Sequence, residues 1–503
     1  MGPRSGGVWS WAAVGCLALV LSASAARAEP DVPLDSWVYG VLDRLQAAGL
    51  VQSGSLNTRP ISRREAARMT VEARRIAAEK GERRFDRLIE HLEREFETEI
   101  AGVADGTRSA YVKPVDELRG GGLWLDGPDR VYNDNGREHH EGGNGRADVS
   151  SRFSWGPVSG ALRAEGRLLP ADDEERQESG GALAEGYLKL NAGKWFLLAG
   201  REPLWWGPGR HGSLLLSTNA RPLDLVRVGN DEPVLLPWVF SRVGPLRVES
   251  FVARLDDESQ PFPNPYFAGA RISVIPLPWV ELGASRVAMF GGRGRTVDGH
   301  TIDSLITGRG ENDPNSVGNQ EASLDLRLTL PLDIQPVQFY GELGGEDMAG
   351  GFFSREAVLA GVFLPRLGPW EQFDLRLEYA DTWLGGHGNN DRVWYQHGDY
   401  PMTCDGRVIG HHAGTDARDA YAELGWSPVP ELRLWAAADF ERHGLAEDHP
   451  EQQRELKAGA QWWLTERLSL EASCSRVEVD NAGFVEGEES KSTWVSLSAG
   501  WRF

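Results

Sequence analysis

Read back from the carboxyl end, Phe503, Trp501, Ala499, Leu497 and Val495 are apolar, and Arg502, Gly500, Ser498 and Ser496 between them are polar or small. Such strict period-two alternation is the pattern of a β-strand with one wholly apolar face. By itself it would also suit the last strand of a soluble sandwich. Repetition separates the two cases. Leu324, Leu326, Leu328 and Leu330 alternate with Asp325, Arg327 and Thr329, and Phe373, Leu375, Leu377 and Tyr379 with Asp374, Arg376 and Glu378. Leu432, Leu434, Ala436, Ala438 and Phe440 alternate with Glu431, Arg433, Trp435 and Asp439, and Val337, Phe339 and Leu343 with Gln338, Tyr340 and Glu342. The polar face is repeatedly arginine with acids, which suits a lumen where opposite charges pair across neighbouring strands better than it suits open water. The pattern predicts a mainly β chain, a large transmembrane antiparallel β-barrel whose apolar face meets lipid.

Residues 29 to about 105 follow a different period. Val38, Leu42 and Leu45 recur at helical spacing after Ser36, and Gly49 stops the run. Ser62-Arg63-Arg64-Glu65 has the form of a capping box ahead of Ala66, Met69, Ala73 and Ile76, with Gly81 at the end. Phe85, Leu88, Ile89, Leu92 and Phe96 share one face of a third segment. The expectation is a small three-helix bundle preceding the barrel on its periplasmic side, alone or under the barrel mouth, with its Arg/Glu run a solvated face and a partner-docking surface as the alternative.

Before it, Arg4, the apolar run Val8 to Leu21 and Ala26-Arg27-Ala28 read as a secretory signal peptide. The apolar run is too short for a membrane anchor, which needs about 20 residues. Cys16 lies inside the run and not at its end, which argues against lipidation. The expected division is therefore 1–28 signal peptide, 29–108 periplasmic helical module and 109–503 barrel. At roughly 22 residues per strand with its connection, the barrel has 16 to 20 strands, with about 18 the best even number. Trp155-Gly156-Pro157, Asn191-Ala192-Gly193, Pro276-Leu277-Pro278, Leu367-Gly368-Pro369 and Ser427-Pro428-Val429-Pro430 read as short periplasmic turns. Stretches 127–146, 291–319, 384–417 and 480–491 read as surface loops, and Trp383, Trp426, Trp462 and Trp463 as girdle aromatics.

Composition narrows the partners. With 53 Lys plus Arg against 74 Asp plus Glu, the formal charge of -21 and the lack of a basic stripe exclude nucleic acid. Of 3 Cys, only Cys404 and Cys474 lie beyond the leader; an oxidising compartment permits a bond between them without requiring one.

One segment breaks the alternation. Gly200 to Pro222 follows the strand Trp195 to Ala199 and is rich in Gly, Pro and small polar residues. Irregular backbone at membrane depth belongs inside the protein or in a wet lumen. The segment is expected in or across the lumen, with Trp205 and Trp206 as packing anchors and Arg210, Asn219 and Arg221 bonding to wall acids. Direct sugar contact is the competing role, since Trp faces and Arg or Asn side chains serve carbohydrate recognition.

Asp31-Val-Pro-Leu-Asp-Ser-Trp-Val-Tyr39, Thr58-Arg-Pro-Ile-Ser-Arg-Arg-Glu-Ala66, Trp205-Trp-Gly-Pro-Gly-Arg210 and Ser213-Leu-Leu-Leu-Ser-Thr-Asn-Ala-Arg-Pro222 together resemble the capsule-assembly Wzi family. The resemblance implies an eighteen-stranded barrel of the cell outer membrane with a periplasmic helical bundle. It further implies a lectin-like protein that binds and organises or anchors capsular polysaccharide or exopolysaccharide. The terminal Phe503 resembles the assembly signal of outer-membrane barrels, so the barrel assembly machinery and outer-membrane lipid are expected partners.

No Gly-x-Ser-x-Gly, His-Glu-x-x-His or phosphate-loop spacing occurs, so no catalytic residue and no cofactor is expected. His139-His140 and His411-His412 sit in Gly- and Asp-rich stretches and read as decoration of solvated loops, not as metal ligands. Asn133-Asp134-Asn135-Gly136 is like the middle of a calcium loop but lacks its first acid, Val131 standing there. The alternative to a polysaccharide-binding barrel is an outer-membrane transport channel with a charge-lined lumen, and an enzyme is a distant third.

Overall fold

The computed structural model describes residues 28–105, 110–170, 180–307, 318–349, 352–384 and 394–503. Apart from Ala28, the leader expected over 1–28 lies outside the described residues.

An antiparallel barrel of 18 strands dominates. The strands are β1 (Tyr111–Asp126), β2 (Gly142–Trp155), β3 (Val158–Leu168), β4 (Gly180–Ala192), β5 (Trp195–Glu202) and β6 (Leu223–Asn230). Next come β7 (Pro245–Arg254), β8 (Tyr266–Leu277), β9 (Val280–Phe290), β10 (Gly318–Leu330), β11 (Val337–Ala349) and β12 (Phe352–Leu364). The last six are β13 (Phe373–Asp381), β14 (Arg418–Val429), β15 (Leu432–His443), β16 (Glu451–Trp463), β17 (Leu468–Asp480) and β18 (Glu489–Arg502). Each pairs with its sequence neighbour, and β1 closes on β18 from Glu117↔Arg502 to Asp126↔Thr493, leaving no free edge.

Outward positions carry the apolar series read from the sequence. Leu324, Leu326, Phe339, Leu377, Phe440, Val495, Leu497 and Trp501 are all exposed, whereas Asp325, Arg327, Gln338, Glu342, Asp374, Glu378 and Asp439 are buried. A continuous apolar girdle of this size does not stay in water; it is the lipid-facing surface of a membrane barrel. Inside, charges pair across strands, as in Arg271 of β8 with Asp325 of β10 at 2.7 Å and Arg433 of β15 with Asp374 of β13 at 2.6 Å.

The connections alternate between a short-turn end and a long-loop end. Trp155↔Val158 and Ala192↔Trp195 are joined by two-residue turns in which Gly156 and Gly193 take φ of 60 and 64°. The stretch expected as a turn at Ser427 to Pro430 is mostly strand: β14 runs on to Val429 and the register shifts between Trp426 and Val429. Pro428 cannot donate to the ladder, so the chain bulges there and the turn is displaced to Pro430 and Glu431.

Among the described residues ahead of the barrel lie four helices, not three: α1 (Trp37–Ala47), α2 (Arg63–Lys80), α3 (Asp86–Glu95) and α4 (Glu97–Asp105). The Ser36 and Ser62 hydroxyls accept hydrogen bonds from Val38 and Glu65 N–H groups, and Gly81 ends α2 in the left-handed region. The third segment divides because Phe96 leaves helical geometry at φ -109° to bury its ring in the module core. The module packs on the short-turn end. Arg44 donates to Ser427 Oγ at 3.2 Å, Arg94 pairs with Glu466 at 3.0 Å and Arg502 with Glu95 at 2.7 Å. Trp463 belongs to this contact and not to a lipid girdle: its ring lies 5.5 Å from that of Trp37. Trp462 points outward, and adjacent strand residues face opposite sides.

Between α1 and α2, and before α1, extended chain runs inside the lumen. Lys189 holds Asp31 at 2.5 Å and Asp231 at 2.6 Å, and Asn57 Nδ2 donates to Asp325 at 2.9 Å.

Candidate functional site

The chain enters the lumen between β5 and β6. Trp205 and Trp206 form a two-residue antiparallel pairing with Arg59 and Thr58, and Gly207 N–H donates to Asn57 C=O at 2.8 Å. The turn after them requires glycine. Gly207 has φ 131°, and a Cβ there would stand 2.7 Å from Glu342 Oε2. Trp206 is fully buried, edge-on to Phe251 at 5.3 Å, and its indole N–H donates to the wall acid Glu249 at 3.0 Å. Trp205 Nε1 donates to Gly209 C=O at 3.1 Å, which folds the segment on itself.

Arg210 reaches away from the wall. Its guanidinium grips Asp43 of α1, with Nη2 at 2.6 Å from Oδ1, while its backbone N–H and that of His211 donate to wall residue Glu378 at 2.8 and 2.9 Å. Burial alone would raise the Asp43 carboxyl, but Arg210 and then Arg59 hold it well below the usual carboxylate range. Asn219 and Arg221 do not meet wall acids. Asn219 Nδ2 donates to Val408 C=O at 2.9 Å, and Arg221 bonds Asp405 at 2.6 Å and Asp256 C=O at 2.8 Å. By Ser217 the segment has turned back to the long-loop end, where loop residues are nearer than the wall.

Those loops knot over the motif. Tyr395 O–H donates to Leu214 C=O at 2.5 Å, Ser217 N–H to Ile409 C=O at 3.0 Å, Asn135 N–H to Thr218 C=O at 2.7 Å, and Asn133 Nδ2 to His211 C=O at 2.7 Å. His411 and His412, read as solvated decoration, are buried at 1 and 7% exposure. The loop folds inward and sets them against His211, with ring centroids of His211 and His412 4.5 Å apart. No local pattern joins His211 to His412; only barrel closure brings them together. His139 lies apart, between Asp129 at 3.5 Å and Asp134 at 3.4 Å. Burial lowers its proton affinity, but hydrogen bonds to Asp129 and Asp134 outweigh that and push it up to about 9. Asp134 is also paired with Arg137 at 2.8 Å, so the Asn133 to Gly136 stretch spends its acid on ion pairs. Among the described residues, two groups bring potential metal-ligand atoms within 4.8 Å of one another: His211, His412, Asp419 and Asp439, and Asp257, Cys404 and Asp405. Cys404 is buried and Cys474 exposed, and both thiols are free.

Among the described residues, two sizeable cavities lie in the lumen. One of about 370 Å³ lies under the β1–β2 loop, lined by Tyr132, Arg137, Arg146, Arg167, Trp435 and Trp494 among others. The other, about 510 Å³, lies between α1 and the wall with Trp37, Arg44, Arg376 and Arg433. Tyr132, Asn133 and Lys457 line both. Trp435 was visible as the one indole in the polar register of its strand.

Comparison with known proteins identifies the architecture. The family model described as Capsule assembly protein Wzi matches residues 125–428, more than half of the chain and including the whole lumenal motif. The chain belongs to the capsule assembly Wzi family. A 55.8 kDa uncharacterised protein in the cps region of Klebsiella pneumoniae is 31% identical over 170 residues, 33% of this chain and 34% of the relative, so the match spans about a third of that protein's length. The fold is also that of Wzi from Escherichia coli, an outer-membrane protein involved in group 1 capsule assembly and described as a carbohydrate-binding β-barrel. The TM-score is 0.73 at 20% identity, with 95% of this chain and 100% of that chain covered. The Wzi likeness thus takes in the helical module and the last strands, which the family match does not reach.

Proposed function

We propose that this Wzi-family barrel is a non-catalytic outer-membrane protein that binds capsular polysaccharide or exopolysaccharide and organises or anchors it at the cell surface. Its long-loop end faces outward and its helical module lies in the periplasm. The observation that carries the reading is the cavity under the β1–β2 loop. Trp435 and Trp494 supply flat apolar faces for sugar rings. Arg146 and Arg167, each fixed by an ion pair from Nε, to Asp148 and Glu165 respectively, present their Nη groups for hydroxyl and carboxylate groups, while Arg137 is committed to Asp134 and Glu165. Local arginines matter because the chain as a whole is acidic and an anionic polymer would otherwise be repelled. The E. coli relative binds carbohydrate, and the family is named for capsule assembly.

The charge-lined wall motivates the channel alternative, but the Trp205 to Pro222 segment, the Asp31 and Asn57 stretches and the overlying loops occupy the lumen. Phe503, exposed beside β1 with its N–H bonded to Asp116 C=O at 3.0 Å, is the expected mark for barrel assembly.

The test compares cell-bound with culture-released polymer in a deletion strain complemented by wild type or by a Trp435→Ala/Trp494→Ala variant. Polymer made in normal amount but shed, and not recovered by the variant, is the expected result. Unchanged retention without the protein, or steady single-channel conductance of the purified barrel, would overturn the reading.

A further inference from the structure

His211, His411 and His412 converge on one carboxylate of the wall. The Nε2 atoms of His211, His412 and His411 lie 3.4, 3.5 and 3.7 Å from Asp419 Oδ2, and His211 Nε2 lies 2.9 Å from Asp439 Oδ2. One ligand atom from each of His211, His412, Asp419 and Asp439 falls within 4.8 Å of all the others. A tetrahedral zinc ion with bonds of about 2.0–2.2 Å keeps neighbouring ligand atoms about 3.3–3.6 Å apart. The His211–Asp419 and His412–Asp419 edges already have that length, the His211–Asp439 edge is a few tenths of an ångström short of it, and the remaining edges lie within 4.8 Å.

Satisfaction of polar atoms gives an independent reason. Asp419 is 2% exposed, yet among the described residues neither of its carboxylate oxygens has a hydrogen-bond partner; His412 Nε2 and Asp439 Oδ1 are likewise buried without one there. Buried polar atoms are almost always satisfied, and several orphans on the residues of one cluster mark a missing partner. The local charge has the sign a dication would offset, since Asp419, Asp439 and Glu441 are buried together and the neighbouring Lys457 is held by Glu455 at 2.8 Å. His412 Nδ1 lies 3.4 Å from the Asn133 amide, whose Oδ1 is also unpartnered, so the amide's orientation and the histidine tautomer depend on whether Nε2 carries a proton or a metal.

We propose that His211, His412, Asp419 and Asp439 form a structural binding site for zinc or a similar divalent transition-metal ion. Imidazole with carboxylate suits such ions, and a closed set of four protein ligands is the structural kind of site, not the catalytic one. The ion would join three parts distant in sequence: the lumenal motif through His211, the β13–β14 loop through His412 and the wall through β14 and β15. It would therefore clamp the long-loop end.

The test uses the full barrel, purified in detergent through a tag without histidine, stripped with chelator and dialysed against zinc or cobalt(II). One zinc per chain by elemental analysis, with the visible bands of four-coordinate cobalt and no thiolate band, is expected. Asp419→Asn and His412→Gln should each weaken uptake at least about tenfold, the lower end of what even an outer-shell change costs, while His300→Gln, on the distant Gly299–Thr307 helix, should bind as wild type. Heat-modifiable gel migration reports whether each variant folds. If both cluster variants fail to fold, X-ray absorption of the zinc-loaded wild type decides, with imidazole and oxygen neighbours expected. No uptake by the folded wild type, a thiolate signature that moves the metal to Cys404, or undiminished uptake in a folded cluster variant would overturn the proposal.

Discussion

Asp43 offers a direct test of how the lumenal motif is held. It is 3% exposed, and three guanidinium groups converge on it: Arg210 at 2.6 Å, Arg59 at 3.3 Å and Arg376 at 3.8 Å. At an effective dielectric of about 20, a pair of unit charges about 4 Å apart is worth about 4 kcal/mol. Asp43→Asn keeps the shape, removes the charge and leaves two buried cations, Arg59 and Arg376, and the partly buried Arg210 facing one another. Breaking a buried pair in this way costs about 3–5 kcal/mol, most of it the penalty of the orphaned charge. Arg210→Met removes one orphan, so the double variant should recover about 2 kcal/mol of the sum of the single effects. Urea titration in detergent, followed by tryptophan emission, measures the four corners of the cycle, with gel migration confirming that the barrel itself stays closed. An Asp43→Asn loss below about 1 kcal/mol, or strictly additive effects, would refute the claim that Arg210 is pinned electrostatically to α1.

Three other outcomes are expected. Leu326→Arg places a charge on the lipid face, 46% exposed in β10, and should cost about 2–4 kcal/mol of folding free energy in liposomes; an effect near zero would mean that this face does not meet lipid. His139, with its proton affinity raised from 6.5 to about 9, contributes stability that is complete below pH 6.5 and is lost as pH rises through about 9. The contribution is at most about 3 kcal/mol, and the protection of the β1–β2 loop against hydrogen exchange, taken relative to the intrinsic base-catalysed rate, should fall over that window in wild type but not in His139→Gln. Gly207→Ala, at φ 131° and against Glu342, should cost about 1–3 kcal/mol and speed amide exchange of residues 203–222; unchanged exchange would sink the close-approach argument.

The barrel wall was legible because lipid outside and charge inside impose opposite chemistries on alternate residues. Leu324, Asp325, Leu326 and Arg327 announce it without any tertiary information. The same rule corrects the girdle: Trp462 and Trp463 are neighbours in one strand, so only one of them can face lipid, and the other meets Trp37. The helix starts were legible because capping is local, as at Ser62 and Glu65. The anchors of the motif were not. Trp206 on Glu249, Arg210 on Asp43 and Arg221 on Asp405 join residues far apart in sequence, through contacts that only the tertiary fold makes. Lys189 between Asp31 and Asp231 is hidden for the same reason, since nothing near Asp31 in sequence shows that the segment runs inside the wall.

Arg210 and His211 are consecutive, yet they are held by opposite sides of the lumen's contents. Arg210 is tied to α1 at the short-turn end, and His211 packs on Tyr421 at 3.9 Å within the histidine cluster beneath the long loops. Both backbone N–H groups donate to the one Glu378 carboxylate, so neither residue can shift without loading the other. A barrel wall is stiff because its hydrogen-bond ladder is closed, and two contacts fastened to adjacent residues of a buried segment leave little slack between them. A change in the long loops that displaced His211 would therefore strain the Asp43 contact, and the helical module would register what happens at the far end of the barrel.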